Sequence, residues 1–322
     1  MKVIFLLDAI AKIAFLSRCH CERSEAIQLK KYFKNGLPRF SYENLAMTKF
    51  AISLLFFLLI STAASAQEKI KVVASFSIIG DMVKQVAGDK IDLHVLVGAN
   101  GEVHGYEPNP KDSRLISSSD IIFINGFGLE GWIERLIKSS DYKGKVITLT
   151  KNVKPLQNNE NGVLSYDPHA WQSVKNAKIY VLNIKDALIA VDAKNAEFFS
   201  KNADDYIKKL DALEQFVKAE INKISPEKRK VISTHDAFRY FANDYGVLFI
   251  PLLGITPESQ PSAMQMAKTI DRARTEKIST IFLENMSDDR LIKQLEKDAN
   301  LRIGGKLYAD SLSDSQGAAK DY

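Results

Sequence analysis

A single long segment without glycine or proline, from Val174 to Ser225, divides the chain into two parts that share one sequence pattern. Because the two strongest helix breakers are absent, this segment can form long helices, and between Ala193 and Ile224 apolar side chains recur at helical spacing among Lys and Glu. About 30 helical residues would span roughly 45 Å, more than one small domain needs. We therefore predict that residues 193–224 form one long, rigid helix that connects two lobes.

On each side of this segment, short β-rich runs alternate with amphipathic stretches, a pattern typical of parallel βαβ units. Helical patterns such as 263–277 and 288–299 separate the runs. The predicted fold is α/β, with an N-terminal lobe at 67–192 and a C-terminal lobe at 225–322, each a small, mostly parallel sheet flanked by helices. The predicted strands are 70–75, 93–97, 121–124, 146–149, 230–233, 248–251, 280–283 and 302–303. Residues 315–322 resemble the start of another helix, which we expect to continue beyond the end of the chain.

A secretory signal peptide is predicted within the first 66 residues. Met47-Thr48-Lys49 forms a short cationic start, a run of eleven mostly apolar residues follows at 50–60, and Ala64-Ser65-Ala66 matches a cleavage site. Eleven residues fall short of the roughly 20 that a membrane-spanning helix needs. We therefore predict a signal peptide at 47–66, with translation starting at Met47 and residues 1–46 forming an upstream extension. The exported protein is expected in the periplasm.

The net charge of +5 is concentrated in the same N-terminal part. Residues 1–66 hold nine of the 44 Lys/Arg and four of the 39 Asp/Glu, so the remaining chain has 35 of each. A formally neutral remainder gives no electrostatic reason to expect nucleic acid as a partner. We separately expect a monomer. Cys19 and Cys21 also lie in this part around His20, and such close neighbours cannot readily surround one metal ion. The mature chain is thus expected to have neither a disulfide nor a cysteine for lipid attachment.

Four histidines remain beyond the predicted signal peptide. His94 lies inside a predicted strand, where a structural role is expected. His104 and His235 follow predicted strands, and Asp310 follows the pair Leu307-Tyr308. Ligands of open α/β sheets bind beyond the carboxyl ends of strands, where these three residues are expected to lie. Together with His169 they are separated by 65, 66 and 75 residues, which excludes a local zinc-finger motif. Spacing alone leaves open whether these four residues meet at one site.

Each of the four residues stands in a distinctive motif. The motifs are Val103-His104-Gly105-Tyr106-Glu107-Pro108-Asn109-Pro110, Asp167-Pro168-His169-Ala170-Trp171, Ser233-Thr234-His235-Asp236-Ala237-Phe238-Arg239-Tyr240-Phe241 and Leu307-Tyr308-Ala309-Asp310-Ser311-Leu312. In this order they resemble the motifs of zinc and manganese solute-binding proteins of ABC importers, the cluster of TroA-like and ZnuA-like proteins. The resemblance covers roughly residues 69–322.

The resemblance implies two lobes with a divalent transition metal held in the cleft between them. Carried over to this chain, the ligands are His104 and His169 from the N-terminal lobe and His235 and Asp310 from the C-terminal lobe. The implied partners are a permease in the inner membrane and its ATPase. Three imidazoles and one carboxylate suit Zn²⁺, and four protein ligands form a closed shell that carries metal without activating water.

The identity of the metal is less constrained than the site. Relatives that look manganese-specific carry Glu at the position of His235, which favours Zn²⁺ over Mn²⁺ here. Against dedicated zinc uptake, the segment before His104 is less acidic than usual, and no His-rich loop lies between Lys151 and Asp167. Glu284 also ends a predicted strand, so it is an alternative to Asp310 as the fourth ligand or a partner that orients an imidazole.

Three other functions remain as alternatives. The run Gly126-Phe127-Gly128-Leu129-Glu130-Gly131 matches the G-x-G-x-x-G pattern of dinucleotide-binding oxidoreductases, although it lies deep within the lobe and not after its first strand. An exported zinc hydrolase would use three histidines with Asp310 or Glu284 as base, and it would need an open coordination position. Adhesion to host surfaces, to which some relatives have been linked, is the third. The four ordered motifs favour a transport protein that is not an enzyme.

Overall fold

The computed structural model describes residues 69–160, 163–256, 261–286 and 289–322, which belong to one compact unit. The predicted extension at 1–46 and signal peptide at 47–66 lie outside the described residues. Within the described ranges, each lobe contains one four-stranded parallel sheet, and a two-stranded hairpin accompanies the N-terminal lobe. No described helix is long and apolar enough to cross a membrane.

The N-terminal lobe is built on a sheet whose strands lie in the order β2-β1-β3-β4. The central strand β1 is almost wholly buried, as expected for a parallel strand covered by helices on both faces. Gly80 lets the first helix lie close to β2, because a Cβ there would fall 2.6 Å from the side chain of Val95. The elements are β1 Ile70–Phe76, α1 Ser77–Ala87, β2 Ile91–Val97, α2 Pro110–Ser117, β3 Ile121–Ile124, α3 Ile133–Ser139 and β4 Lys145–Thr148.

A hairpin and two long helices follow. Strands β5 (Gln157–Glu160) and β6 (Val163–Tyr166) pair antiparallel, and helix α4 spans Val174–Val191. After a short 3₁₀ turn, helix α5 covers Ala196–Asn222 and links the two lobes, so the predicted connecting helix is confirmed. At 27 residues α5 is about 40 Å long.

The C-terminal lobe repeats the topology of the first. Its sheet has the order β10-β9-β7-β8. If the strands are numbered separately within each lobe, both sheets have the order second, first, third, fourth. In both lobes the chain changes its winding direction beside the first strand. The elements are β7 Lys230–Ser233, α6 Arg239–Tyr245, β8 Leu248–Pro251, α7 Ala263–Thr275, β9 Thr280–Glu284, α8 Asp289–Ala299 and β10 Arg302–Leu307. The predicted two-lobed α/β fold with parallel sheets is confirmed.

The predicted helix start at residues 315–322 is wrong, because this segment contains only turns and irregular backbone. Its course is set by contacts with the N-terminal lobe. The backbone N–H of Tyr322 donates to Asp81 at 3.1 Å, and its hydroxyl donates to the carbonyl of Trp171 at 2.5 Å. These bonds hold Tyr322 against α1 and the turn at Trp171.

The two lobes share part of one apolar core. Tyr240 and Tyr245 of α6 and Leu312 beyond β10 belong to the same buried cluster as the core of the N-terminal lobe. Separating the lobes would expose these side chains to water, at a cost of about 25 cal/mol per Å² of apolar surface. The fold therefore resists wide opening of the cleft.

The long helix offers a direct test of which face stabilises the fold. Phe199 is fully buried against the N-terminal lobe, whereas Phe216 on the same helix is 60% exposed. We expect Phe199→Ala to lower the free energy of unfolding by about 3–5 kcal/mol, because it leaves a cavity in a packed core. Phe216→Ala should change it by less than about 0.5 kcal/mol. Chemical denaturation of both variants measures this, and equal effects would contradict the packing described.

Candidate metal centre

Four of the predicted site residues meet at one point between the lobes. His104, His169, His235 and Asp310 each offer one ligand atom, and these atoms all lie within 4.8 Å of one another. Asp310 Oδ2 is 3.3 Å from His104 Nε2 and 3.1 Å from His235 Nε2, while Oδ1 is 3.6 Å from His169 Nε2. All four side chains are buried, His104 being 4% exposed. The chain thus gathers residues that are far apart in sequence into one compact donor set.

The ends of the secondary-structure elements bring these residues together. His235 comes two residues after β7, and Asp310 comes three residues after β10. His104 lies in the loop between β2 and α2, and His169 precedes the 3₁₀ turn Ala170–Gln172 that leads into α4. The strands of each sheet are parallel, so their carboxyl ends share one edge, and the two edges face each other at the cluster.

Two of the imidazoles are held by carboxylates. His169 Nδ1 lies 2.8 Å from Asp167 Oδ1, and His235 Nδ1 lies 2.5 Å from Glu284 Oε2. A carboxylate at Nδ1 keeps the proton on that nitrogen and leaves the Nε2 lone pair free for a metal ion. The other oxygen of Glu284 accepts the backbone N–H groups of Thr234 and His235 at 3.0 and 3.2 Å. Glu284 therefore lies behind the imidazole of His235 and outside the four-residue cluster. Of the two roles considered for it from the sequence, this position fits the partner that orients an imidazole.

Sequence reasoning missed two carboxylates that shape the site. The sequence pattern shows Asp167 only as part of a motif, although an acid two residues before a candidate ligand is within reach of its ring. Glu102 accepts the backbone N–H groups of His104 and Gly105 at 2.7 and 2.6 Å, which fixes the turn on which His104 stands. In both cases the sequence signal is an acidic residue two positions before the histidine.

A hydrogen-bonded bridge joins the two lobes beside the cluster. The indole N–H of Trp171 and the side-chain amide of Gln172 both donate to the carbonyl of Ala309, at 2.9 and 2.7 Å. Ala309 directly precedes Asp310, and Trp171 follows His169 by two residues. The segment that carries the ligand from one lobe is thus tied to the segment that carries the ligand from the other.

The electrostatics of the cluster are dominated by one buried carboxylate. Burial alone would raise the pKa of Asp310, but the charges that His235 and His169 can carry lower it well below its usual value. Burial alone would lower the pKa of His235, but the charges of Asp310 and Glu284 raise it well above its usual value. Both Asp310 oxygens and His235 Nε2 are buried without a well-formed hydrogen bond among the described residues. Such groups are costly unless a cation satisfies them.

His94 takes no part in this cluster. It lies within β2, as predicted, with its side chain 44% exposed and 3.7 Å from Asp92. A solvent-exposed pair of this kind contributes little to stability. The remaining three histidines after the predicted signal peptide are those of the cluster.

The glycine-rich run after β3 does not form a phosphate site. The backbone N–H groups of Asn125 and Gly126 donate to the buried carboxylate of Glu130, at 2.6 and 3.2 Å. In a dinucleotide-binding loop such amides face a phosphate. Here the chain supplies its own anion to them, which argues against the oxidoreductase alternative.

Comparison with known proteins gives consistent matches over the described lobes. The family described as ZnuA, the periplasmic component A of a zinc-uptake complex, matches residues 72–322. The manganese ABC transporter substrate-binding lipoprotein PsaA of Streptococcus anginosus is 36% identical over 264 residues, which is 78% of this chain and 84% of that protein. The iron-binding protein YfeA of Yersinia pestis is 35% identical over 272 residues, covering 82% of this chain and 87% of the relative.

Solved structures agree with these relatives. A manganese-bound periplasmic metal binding protein from Candidatus Liberibacter asiaticus superposes with a TM-score of 0.71 at 34% identity, covering 79% of this chain and 94% of that one. The periplasmic zinc binding protein TroA of Treponema pallidum gives a TM-score of 0.73 at 25% identity, covering 77% and 92%. The relatives are named for three different metals, so the comparisons leave the metal of this chain open.

The role of Glu284 can be tested by an isosteric change. Glu284→Gln places an amide N–H₂ beside His235 Nδ1 and so disfavours the tautomer that leaves Nε2 free. We expect zinc affinity to fall by about 10–100-fold, the usual effect of losing a carboxylate behind a ligating imidazole. Glu276→Gln, in the same lobe but paired with Arg272 at the surface, is the matched control and should bind like wild type. Unchanged affinity in Glu284→Gln, measured by competition with a chelator, would contradict this role.

Proposed function

The chain belongs to the ZnuA family of periplasmic metal-binding components of ABC transport, and on that premise we propose that His104, His169, His235 and Asp310 capture one divalent transition metal for import. Family members are substrate-binding transport proteins and not enzymes, and such a protein serves a membrane permease and an ATPase. The observation that carries the proposal is the buried cluster of three Nε2 atoms around the Asp310 carboxylate. Apart from a metal ion, few ligands would satisfy so small and so buried a set of donors.

We further propose that the site prefers Zn²⁺ to Mn²⁺. Three imidazole nitrogens and one carboxylate provide the tetrahedral, nitrogen-rich shell that Zn²⁺ accepts. Mn²⁺ favours more oxygen ligands and a higher coordination number, and it binds more weakly than Zn²⁺ to a given set of donors. The carboxylates of Asp167 and Glu284 are already engaged with His169 and His235, which supports a shell with a single carboxylate. Metal supply in the cell then decides which ion is carried.

The proposed place of action is the periplasm. The sequence pattern at 47–66 is that of a cleaved signal peptide, and the two structural relatives are described as periplasmic proteins. The predicted mature chain has no cysteine at the cleavage site, so lipid attachment of the kind implied by the name of PsaA is not expected here. Metal capture would precede docking on the permease in the inner membrane.

Closure on metal binding is proposed to be small. The lobes share buried side chains of α6, and the bridge from Trp171 and Gln172 to Ala309 spans the cleft beside the cluster. Rigid connections of this kind favour local movement of the ligand loops over rotation of whole lobes. The permease would then distinguish loaded from empty protein by the arrangement of these loops.

The central test is metal content together with the loss of one ligand. Protein purified from the periplasm should contain about one equivalent of zinc or manganese. His235→Ala should weaken zinc binding by more than about 100-fold, exceeding the effect of losing an outer partner. His94→Ala is the matched control, since His94 lies on β2 away from the cluster. No stoichiometric metal in the wild type, or full affinity in His235→Ala, would contradict the proposal.

The pH dependence of binding follows from the protonation of the cluster. Burial lowers the pKa of His235, but the charges of Asp310 and Glu284 raise it well above its usual value in the metal-free protein, which favours a proton on Nε2, the nitrogen that would bind the metal. Metal binding must displace that proton, so affinity should fall as the pH falls, by about tenfold per pH unit for each proton released. Calorimetry in buffers of different ionisation enthalpy measures the number of protons. Equal affinity at about pH 7.5 and about pH 5.5 would contradict this expectation.

A further inference from the structure

The glycine-rich run at 126–131 has no role of its own in the proposed function, yet its flanking residues contact both ligand loops of the N-terminal lobe. We infer that Asn125 and Trp132, one on each side of this run, are positioning residues that set the geometry of His169 and His104. The inference rests on the proposed function and concerns how half of the metal site is preorganised. It also gives the run a purpose other than the phosphate binding that its pattern suggests.

Asn125 fixes the backbone from which His169 projects. Its side-chain amide donates to the carbonyl of Pro168 at 2.9 Å, and its side-chain oxygen accepts the hydroxyl of Tyr180 at 2.5 Å. Asn125 is fully buried, so water offers no substitute for these bonds. Pro168 directly precedes His169, and its carbonyl also accepts the N–H of Ala170. The carbonyl of the peptide group between Pro168 and His169 is therefore held by two hydrogen bonds, one from Asn125 and one from Ala170.

Trp132 holds the loop of His104 in a comparable way. Its indole N–H donates to the carbonyl of Val103 at 2.8 Å, and its ring packs edge-on against Tyr106 with the centroids 5.0 Å apart. Val103 and Tyr106 flank His104 in the sequence. Trp132 is 3% exposed and so is itself fixed by its surroundings.

Glu130 joins the two contacts into one unit. Its carboxylate accepts the N–H groups of Asn125 and Gly126 and the hydroxyl of Ser75, which ties the run to the central strand β1. The turn needs glycine at Gly126 and Gly128, whose φ angles are +94° and +83°. One rigid turn thereby positions both ligands, and the Nε2 atoms of His104 and His169 come to lie 3.2 Å apart. Fixing two ligands before the metal arrives lowers the entropic cost of binding.

The first test removes one donor and keeps the shape of the core. Trp132→Phe loses the indole N–H but retains an aromatic ring beside Tyr106. We expect the zinc dissociation constant to rise about fivefold, the net worth of one hydrogen bond. Asn183→Leu is the matched control: its amide donates to the carbonyls of Leu149 and Lys151 in the same lobe, away from both ligand loops. The control should bind zinc like wild type even if it is less stable.

A double-mutant cycle separates positioning from general destabilisation. If Trp132 acts through His104, Trp132→Phe should change the residual zinc affinity by less than about twofold in a His104→Ala background. Asn125→Leu should still lower zinc affinity in the His104→Ala background, but it should have no further effect in a His169→Ala background. Should Asn125→Leu fail to fold, the Trp132 arm decides alone. Wild-type affinity in Trp132→Phe, or the same loss with and without His104, would overturn the inference. Failure of the wild type to bind zinc would instead overturn the proposed function.

Discussion

The carboxylate of Asp310 is fully buried between two lobes, with an imidazole nitrogen from each of three distant histidines within 3.6 Å of its oxygens. Removing a charge from water is costly, and a buried carboxylate is tolerated only when cations or strong donors surround it. In the metal-free protein a protonated His235 can offset this cost, and a divalent ion can offset it more completely. The arrangement of the ligand loops is thus explained by the need to bring compensating groups to one buried anion.

The two lobes meet this need with the same sheet topology. Both sheets have the same strand order, so both place loops beyond the carboxyl ends of their first and third strands at the same relative position. In the C-terminal lobe these ends carry His235 and Glu284, which contact each other directly. In the N-terminal lobe the corresponding ends are β1, which leads into α1, and β3, which leads into the glycine-rich run. That run supports the two ligand loops, and its backbone N–H groups bind the carboxylate of Glu130 instead of an external phosphate.

Much of this was predictable from sequence because the strong signals are local. Parallel strands in buried sheets appear as short apolar runs, and seven of the eight predicted strands of the two sheets lie within two residues of the observed ones at both ends. The absence of glycine and proline indicated the long helix. The four candidate ligands were found because each stands in a distinctive motif, and the structure brings all four together.

What sequence could not supply depends on side-chain direction and long-range contact. The orienting role of Asp167 becomes visible only once its oxygen is seen 2.8 Å from His169 Nδ1. Strand β10 is predicted to end at 303, whereas the observed strand has an irregularity in its register between Ile303 and Gly305 and continues to Leu307. The end of the chain has local helical character, but Tyr322 is anchored to the other lobe, and that tertiary contact overrides it.

The most direct test of the central claim is the coordination shell of the bound ion. X-ray absorption at the zinc edge of the fully loaded protein should give a four-coordinate shell of light atoms at about 2.0–2.1 Å, with the multiple-scattering pattern of three imidazoles and one carboxylate oxygen. The same spectrum should be changed by Asp310→Asn and unchanged by His94→Ala. A shell with fewer than three imidazoles, or one made mainly of water oxygens, would contradict the account.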